Sequence, residues 1–342
     1  MNIQSLILLE IFLLSLFFYF IIFNYKKKIS LFLGTIDYPK DKRKIHKIPT
    51  PKTASYSVAV TLMIILINNF IFNFLSKDFN TIIISSLIVF VVGLVDDKFN
   101  LNAYKKLFLI SLIVIISIII SPDILITKFY SDTFDAYIYL EKFSLAFTIL
   151  CILLLINSFN LIDGINGLAL SVLITWFIYF IYIFHADLNI HFYIILFILI
   201  LSFFHNYFGL HFLGDSGSLM LSYFFGFLTI KLMNLDIENP KYLISCELFF
   251  LMFMIPGVDM FRLFLERIFR KKDPFIADNN HFHHILIKKH SLKKTLFIYL
   301  FLINFPIILF LYYKINALVL ISLSIFVYAI ILFIYKKINL KI

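Results

Sequence analysis

Ionisable residues are nearly absent from the long apolar stretches of this chain, where Glu10 and Glu247 are almost the only ones well inside a run. A proton or ion pump is expected to carry carboxylates or histidines near the middle of the membrane, so their scarcity argues against transport. Glycine is scarce too. Of nine glycines, six (Gly93, Gly164, Gly167, Gly209, Gly214 and Gly217) fall in or beside three short polar segments. Glycine serves where backbone must bend or come close to a partner, so its gathering beside Asp96, Asp163 and Asp215 marks those segments. The two cysteines, Cys151 and Cys246, lie in apolar runs and read as small buried residues. They say nothing of redox compartment and lend no support to a zinc site. No internal repeat and no low-complexity linker divides the chain.

What the sequence does have is hydrophobicity. Of its 342 residues 62% are apolar, and the mean hydropathy is +0.97, which points to lipid as the solvent. Eleven runs, near 5–23, 54–75, 80–95, 105–121, 143–157, 167–184, 190–206, 217–232, 242–258, 295–312 and 317–335, suit a bilayer core of about 30 Å. They leave no room for a separate soluble domain. The expectation is an all-α, polytopic helical bundle of about eleven transmembrane helices, a single domain over 1–342. The first run has no basic residue before it and no small-residue cleavage site, and Lys26, Lys27 and Lys28 follow it. It therefore reads as a retained helix and not a signal peptide.

Orientation follows from the basic residues. With the N-terminus outside, the segments near 24–53, 96–106, 158–166, 207–216, 259–294 and 336–342 are cytoplasmic and hold 24 of the 30 Lys and Arg. Eleven spans then leave the C-terminus inside as well. The net charge of +10 thus gathers on one membrane face, where cations fix topology and meet anionic lipid headgroups. Nucleic acid is not an expected partner, because no soluble module exists to carry it.

Four polar segments carry the chemistry. In Gly93-Leu-Val-Asp96-Asp97-Lys98 the two carboxylates point about 100° apart on a helix, so one could face a pocket while the other is hydrated or anchors the loop. Lys105 and Lys106 follow, either snorkelling or contacting phosphate. In the second, Asn157, Asn160, Asp163 and Asn166 recur every third residue, more amides than helix capping accounts for. The third, Gly214-Asp215-Ser216-Gly217-Ser218, opens a helix, either as an anion-facing turn or as an N-cap. The fourth holds Asp259, Arg262, Arg267, Arg270, Asp278, His281, His283 and His284. His281 and His284 share a helical face and His283 points elsewhere; Asp278 or Asn279 is a candidate cap for a short helix through them.

Taken in this order, the segments resemble the polyprenyl-phosphate N-acetylhexosamine 1-phosphate transferases, the family that initiates O-antigen, enterobacterial common antigen and wall teichoic acid synthesis, with the phospho-MurNAc-pentapeptide translocases as more distant relatives. The first loop, Asp37-Tyr-Pro39 through Arg43-Lys44-Ile-His46 to Pro49-Thr-Pro51, looks like the Asp-x-Pro…Arg-Lys-x-His…Pro-x-Pro segment of the former branch. Two departures stand out. Ala54-Ser55 replaces the family's Gly-Gly, which puts close packing at that helix start in question, and Asn166 replaces a second Asp.

The resemblance implies attack by a lipid phosphate on the sugar-bound phosphorus of a UDP-N-acetylhexosamine, expelling UMP. It implies an inner-membrane enzyme with its site facing the cytoplasm, polyprenyl (undecaprenyl) phosphate as acceptor and Mg2+ as cofactor, with Mn2+ as a substitute. It leaves a homodimer open. Asp215 is then the metal ligand, Asp96, Asp97 and Asp163 are catalytic, and Asn157 and Asn160 line the pocket. Lys105, Lys106, Arg43, His46, Arg267, Arg270, His281, His283 and His284 are implied to bind substrate. A phosphate monoester is mostly ionised at neutral pH, so a strong general base is not the main requirement. Carboxylates gathered near phosphates make sense only around a hard dication. A transporter with a His-rich loop and a catalytically dead scaffold are the competing classes.

Overall fold

Runs of Leu, Ile and Phe with so little glycine have no alternative to the helix in lipid, where each backbone N–H and C=O must be satisfied within its own segment. The computed structural model describes residues 3–39, 48–184, 190–238, 244–274 and 278–339. Among the described residues eight helices are long and apolar enough to cross a bilayer: α1 (Ile3–Leu33), α3 (Lys77–Phe99), α4 (Ala103–Ile120), α5 (Ser144–Ile162), α8 (Gly214–Glu238), α9 (Cys246–Phe269), α11 (Leu292–Tyr313) and α12 (Ala317–Asn339). Three apolar helices of 17 residues, α2 (Tyr56–Phe72), α6 (Leu168–Phe184) and α7 (His191–Tyr207), are a little shorter. At 1.5 Å per residue they reach about 26 Å. These eleven correspond one for one to the eleven apolar runs. The short α10 (Phe282–Ile287) carries the histidines.

Two helices run farthest past the ends of their apolar stretches. α1 continues through Lys26–Lys28 to Leu33 and stops at Gly34, whose φ of +76° the helix cannot propagate. α9 continues past residue 258 to Phe269, so Asp259, Arg262 and Arg267 stand on helical turns and not in a loop. Hydropathy misses such ends because polar residues on a helix leaving the membrane look like loop. Glu247 is likewise not mid-span. It lies in the first turn of α9, where its carboxylate accepts from Ser131 Oγ (2.5 Å) and from the backbone N–H of Asp132 (3.1 Å) and Thr133 (3.2 Å). Those residues close the hairpin of β3 (Lys128–Ser131) and β4 (Ala136–Tyr139) at the end of the bundle away from the glycine-rich turns. A buried charge deeper within a span is Lys231 of α8, paired with Asp78 of α3.

α8 is the axis of the bundle, while α1, α4 and α12 turn most of their surface outward. α3 packs most intimately against α8, and Gly93 is what allows it: a Cβ there would come 2.3 Å from Ser216 Cα, a backbone atom with nowhere to go. At the glycine-rich end, β1 (Ile36–Asp37) pairs antiparallel with β2 (Thr50–Pro51). The chain after β2 is sewn to the turn before α8, with Phe212 N–H donating to Pro51 O (2.8 Å) and Ala54 N–H to Phe212 O (3.0 Å). Close packing at Ala54-Ser55 survives the loss of the double glycine. Both residues are fully buried, and Gly217 opposite leaves the room, since a Cβ on it would stand 2.7 Å from Ser55 Cβ.

Candidate functional site

Five of the six segments that the basic-residue bias assigns to one membrane face, those near 24–53, 96–106, 158–166, 207–216 and 259–294, contribute residues to an open cleft of about 660 Å³ at this end. Its polar lining includes Asp37, Lys52, Asn160, Asp163, Asn166, Asn206, Asp215, Asp278, His281 and His284. The cleft is assembled by hydrogen bonds between turns that are remote in sequence. Asn206, at the end of α7, accepts from Gly167 N–H (2.6 Å) and donates to His211 O (2.9 Å), tying the α5–α6 turn to the α7–α8 turn. Gly164 brings the α5–α6 turn against the histidines. A Cβ there would fall 2.4 Å from both His283 Nε2 and His284 Cε1.

The acidic wall is an alternation of carboxylates and lysines. Asp97 Oδ1 accepts from Lys52 Nζ (2.9 Å) and from Asp215 N–H (3.0 Å), and Oδ2 accepts from Ser216 N–H (3.0 Å). Asp97 therefore caps the α8 N-terminus from a neighbouring helix, satisfying N–H groups that no earlier turn can reach. Asp96 takes Lys106 Nζ at 2.7 Å on one oxygen and Leu101 N–H at 2.8 Å on the other. Lys106 also reaches Asp215 Oδ1 (3.3 Å), which accepts in addition from Asn160 Nδ2 (2.7 Å). Burial works against the charge on Lys52, but Asp97, Asp215 and Asp37 more than offset it and hold its pKa above the ordinary lysine value. Asp163 makes no ion pair among the described residues. Burial, together with the charges of Asp215 and Asp97, raises its pKa well above the usual carboxylate range. It is the site's unmatched acid.

The basic wall is built on α9 and α10. His281 and His284 line the cleft, while His283 is fully buried behind them with neither ring nitrogen bonded. Burial and the neighbouring histidines push the pKa of His283 well down. Burial, His281 and Lys288 lower that of His284 to about 4. The cap of α10 is neither Asp278 nor Asn279. Asp259 of α9 accepts from Phe282 N–H (3.1 Å), and Asp278 instead accepts from Asn280 N–H (2.8 Å).

The residues singled out from sequence divide accordingly. Asn160, Asp163, Asp215, His281 and His284 come together in the cleft. Asp96, Asp97 and Lys106 flank it, their polar atoms engaged with one another and with backbone. Asn157 lies a turn earlier on α5, outside the lining; Lys105 and Arg270 are exposed away from it. Arg267 forks onto Asp278 and Pro274 O, bracing the loop that carries Asp278. Arg43 and His46 lie outside the described residues. Lys52 and Asn206 went unnoticed in the sequence; a lysine directly after the Pro-x-Pro turn was the available signal for the first. Asn206 had none.

Among the described residues no three His, Cys, Asp or Glu side chains stand close enough to form a metal site unaided. Magnesium asks for less, being held through one or two carboxylates with water and substrate phosphate completing its shell. Asp163, without an ion-pair partner among the described residues, lies beside the partly exposed Asp215, and the two acids fit such a cation.

Carboxylates, amides, lysines and imidazoles are thus gathered at one end of a polytopic helical bundle. Residues 79–233, from α3 to α8, match glycosyl transferase family 4. That segment, less than half of the chain, supplies Asp96, Asp97, Lys106, Asn160, Asp163 and Asp215. Over 161 residues the chain is 30% identical to a Bacillus subtilis (strain 168) protein named "Probable undecaprenyl-phosphate N-acetylglucosaminyl 1-phosphate transferase". The aligned part is 46% of this chain and 43% of that relative, so the match spans less than half of either.

Proposed function

We propose that this protein transfers N-acetylhexosamine 1-phosphate from a UDP-sugar to polyprenyl phosphate at the cytoplasmic face of the inner membrane, releasing UMP as the first membrane step of envelope glycan synthesis. The observation that carries this reading is the composition of the cleft. An unmatched carboxylate, a lysine and imidazoles surround a space of about 660 Å³ at the mouth of an apolar bundle, where a water-soluble diphosphate and a lipid phosphate can meet. The name of the Bacillus subtilis relative supports undecaprenyl phosphate as acceptor and N-acetylglucosamine as the first sugar to try.

The barrier in such a reaction is electrostatic. Bringing a lipid phosphate to a diphosphate sets like charges together, at about 4 kcal/mol for each unit pair 4 Å apart at an effective dielectric of 20. Lys52 and Lys106 supply fixed positive charge beside the cleft. Asn160 holds Asp215 in place, and His281 and His284 face the acids from the opposite wall, where the sugar diphosphate would lie. Asp215 and Asp163 would hold Mg2+, whose charge would offset that of the phosphates. The lipid phosphate is already largely ionised at neutral pH, so Asp96 and Asp97 are not needed as strong bases. Their partners suit them to positioning Lys106, Lys52 and the start of α8.

The test is incubation of the purified protein with undecaprenyl phosphate, Mg2+ and a panel of UDP-sugars. UMP release that requires both the lipid and one UDP-N-acetylhexosamine is expected. No UMP from any member of the panel overturns the reading.

A further inference from the structure

The cleft histidine His281 is held from behind by an assembly that the reaction does not itself require. Its Nδ1 lies 2.9 Å from Asp259 Oδ2, and Asp259 is buried at 1% exposure. Asp259 Oδ1 accepts from Tyr328 OH of α12 (2.7 Å) and Arg262 Nη2 (2.8 Å), and the Phe282 N–H bonds the same carboxylate. Arg262 extends the grip. Its Nε donates to Tyr328 OH (2.9 Å), Nη1 to Glu266 (2.9 Å) and Nη2 to Asn280 O (2.8 Å), just before the histidine segment. Three helices and a loop thus converge on one imidazole.

We propose that Asp259, braced by Arg262 and Tyr328, is a positioning residue that fixes the orientation and tautomer of His281, so that Nε2 is the nitrogen offered to the substrate. A buried carboxylate with no proton of its own can only accept, so the ring nitrogen facing it must carry hydrogen. Nδ1 is therefore protonated whether the ring is neutral or charged, and Nε2 is left for the cleft that His281 lines. A ring free to flip would present either nitrogen, and its hydrogen-bonding sense toward a phosphoryl or sugar oxygen would be undefined. The bracing commits the Arg262 guanidinium to Asp259, Glu266, Tyr328 and Asn280 and not to the cleft. It also gives α12 a part in the site, through Tyr328. The choice of His281 as a substrate-facing group rests on the transferase reading above; the tautomer does not.

The experiment uses the full chain in detergent with 15N-labelled histidine, the His281 signals being those lost in His281→Gln. Nδ1 protonated in the wild type is expected. In Asp259→Asn the amide can donate to the ring, so Nδ1 should lose its proton and Nε2 gain one. UMP release should fall together with that reversal by about 10–100-fold, the usual cost of removing a residue that orients a ligand. Asp259→Glu, which keeps an acceptor, should restore the Nδ1–H form and part of the activity. Tyr328→Phe should keep the tautomer, because Asp259 remains. An unprotonated Nδ1 in the wild type, or no reversal in Asp259→Asn, overturns the proposal; the wild-type measurement suffices if Asp259→Asn does not fold. Absence of UMP formation in the wild type would sink the transferase reading and leave the tautomer measurement standing.

Discussion

Asp97 accepts the backbone N–H of Asp215 at 3.0 Å, so one acidic residue of the site positions another through its main chain. The same carboxylate takes Lys52 and the N–H of Ser216 and is closed to solvent. Asp96 is held differently, by Lys106 and by Leu101 N–H. Asp97→Asn would set an amide against backbone donors and strand the Lys52 charge. Breaking a buried pair in this way costs about 3–5 kcal/mol. The expected result is a lower unfolding midpoint in detergent together with lost activity. Asp96→Asn should lose activity with a smaller fall in midpoint, because Lys106 keeps Asp215 as a partner. Equal midpoints for the two variants would refute this division.

This pair also shows how far the sequence could be read. An angle of about 100° between neighbouring helical side chains already allowed Asp96 and Asp97 separate roles. Which one faced which partner depended on α8, more than a hundred residues away, and no local pattern encodes that. The eleven apolar helices were legible because hydrophobic length is a local property. The ends of α1 and α9 were not, since Lys26–Lys28 and Asp259–Arg267 look like loop until a partner for their polar side is known. The glycine clusters were legible as marks of close approach, and Gly93 against Ser216 is such a contact. Asn206, a lone amide at the end of an apolar helix, carried no signal, although it ties two of the site's turns together.

Gly164→Ala tests the contact between the α5–α6 turn and the histidines. The added Cβ would lie 2.4 Å from His283 Nε2 and His284 Cε1, and His283, being fully buried, cannot swing away into solvent. Overpacking of this kind costs about 1–3 kcal/mol. Activity should fall more than stability does, because the displaced rings include His284 of the cleft. Unchanged activity would mean that the two walls are not in contact in the working protein.

The histidines set a sign for the dependence of stability on pH. In the unfolded chain a histidine takes a proton near 6.5, whereas burial and neighbouring charges lower the pKa of folded His284 to about 4 and hold that of His283 well below the ordinary histidine value as well. Between those values the unfolded state binds more protons, so stability should fall as pH drops from 6.5 toward 4 and level off above 6.5. Thermal unfolding in detergent across pH 4.5–8 checks this. His284→Gln should flatten part of the slope; an identical slope in the variant would remove His284 as a cause.

Sidedness has its own test. The α5–α6 and α7–α8 turns carry no Lys or Arg between residues 163 and 167 or 208 and 213, yet they share one end of the bundle with Lys52 and with the basic C-terminal turns of α9. If the bias of basic residues sets orientation, both turns are cytoplasmic. Cysteine introduced singly at Asn166 or Gly209, in a background with Cys151 and Cys246 replaced by serine, should react with an impermeant maleimide only in inverted vesicles. Labelling in intact cells would place the cleft on the wrong side for UDP-sugars.

The metal is the most consequential expectation, and its logic lies in the count of charges. Asp96, Asp97 and Asp215 have Lys52 and Lys106 as partners, whereas Asp163 has no ion-pair partner among the described residues. Burial and its acidic neighbours raise its pKa well above the usual carboxylate range, so without a cation it is expected to hold a proton and with one to release it. Addition of Mg2+ to metal-free protein should therefore release protons, measurable in weak buffer without any substrate, and Asp163→Asn should abolish the release. EDTA should remove transferase activity, with Mg2+ or Mn2+ restoring it. Asp215→Asn should raise the Mg2+ concentration needed while Lys106 still pairs with Asp96. Full activity in chelator would leave the cluster without a metal role. Proton release that persists in Asp163→Asn would place the cation on other groups.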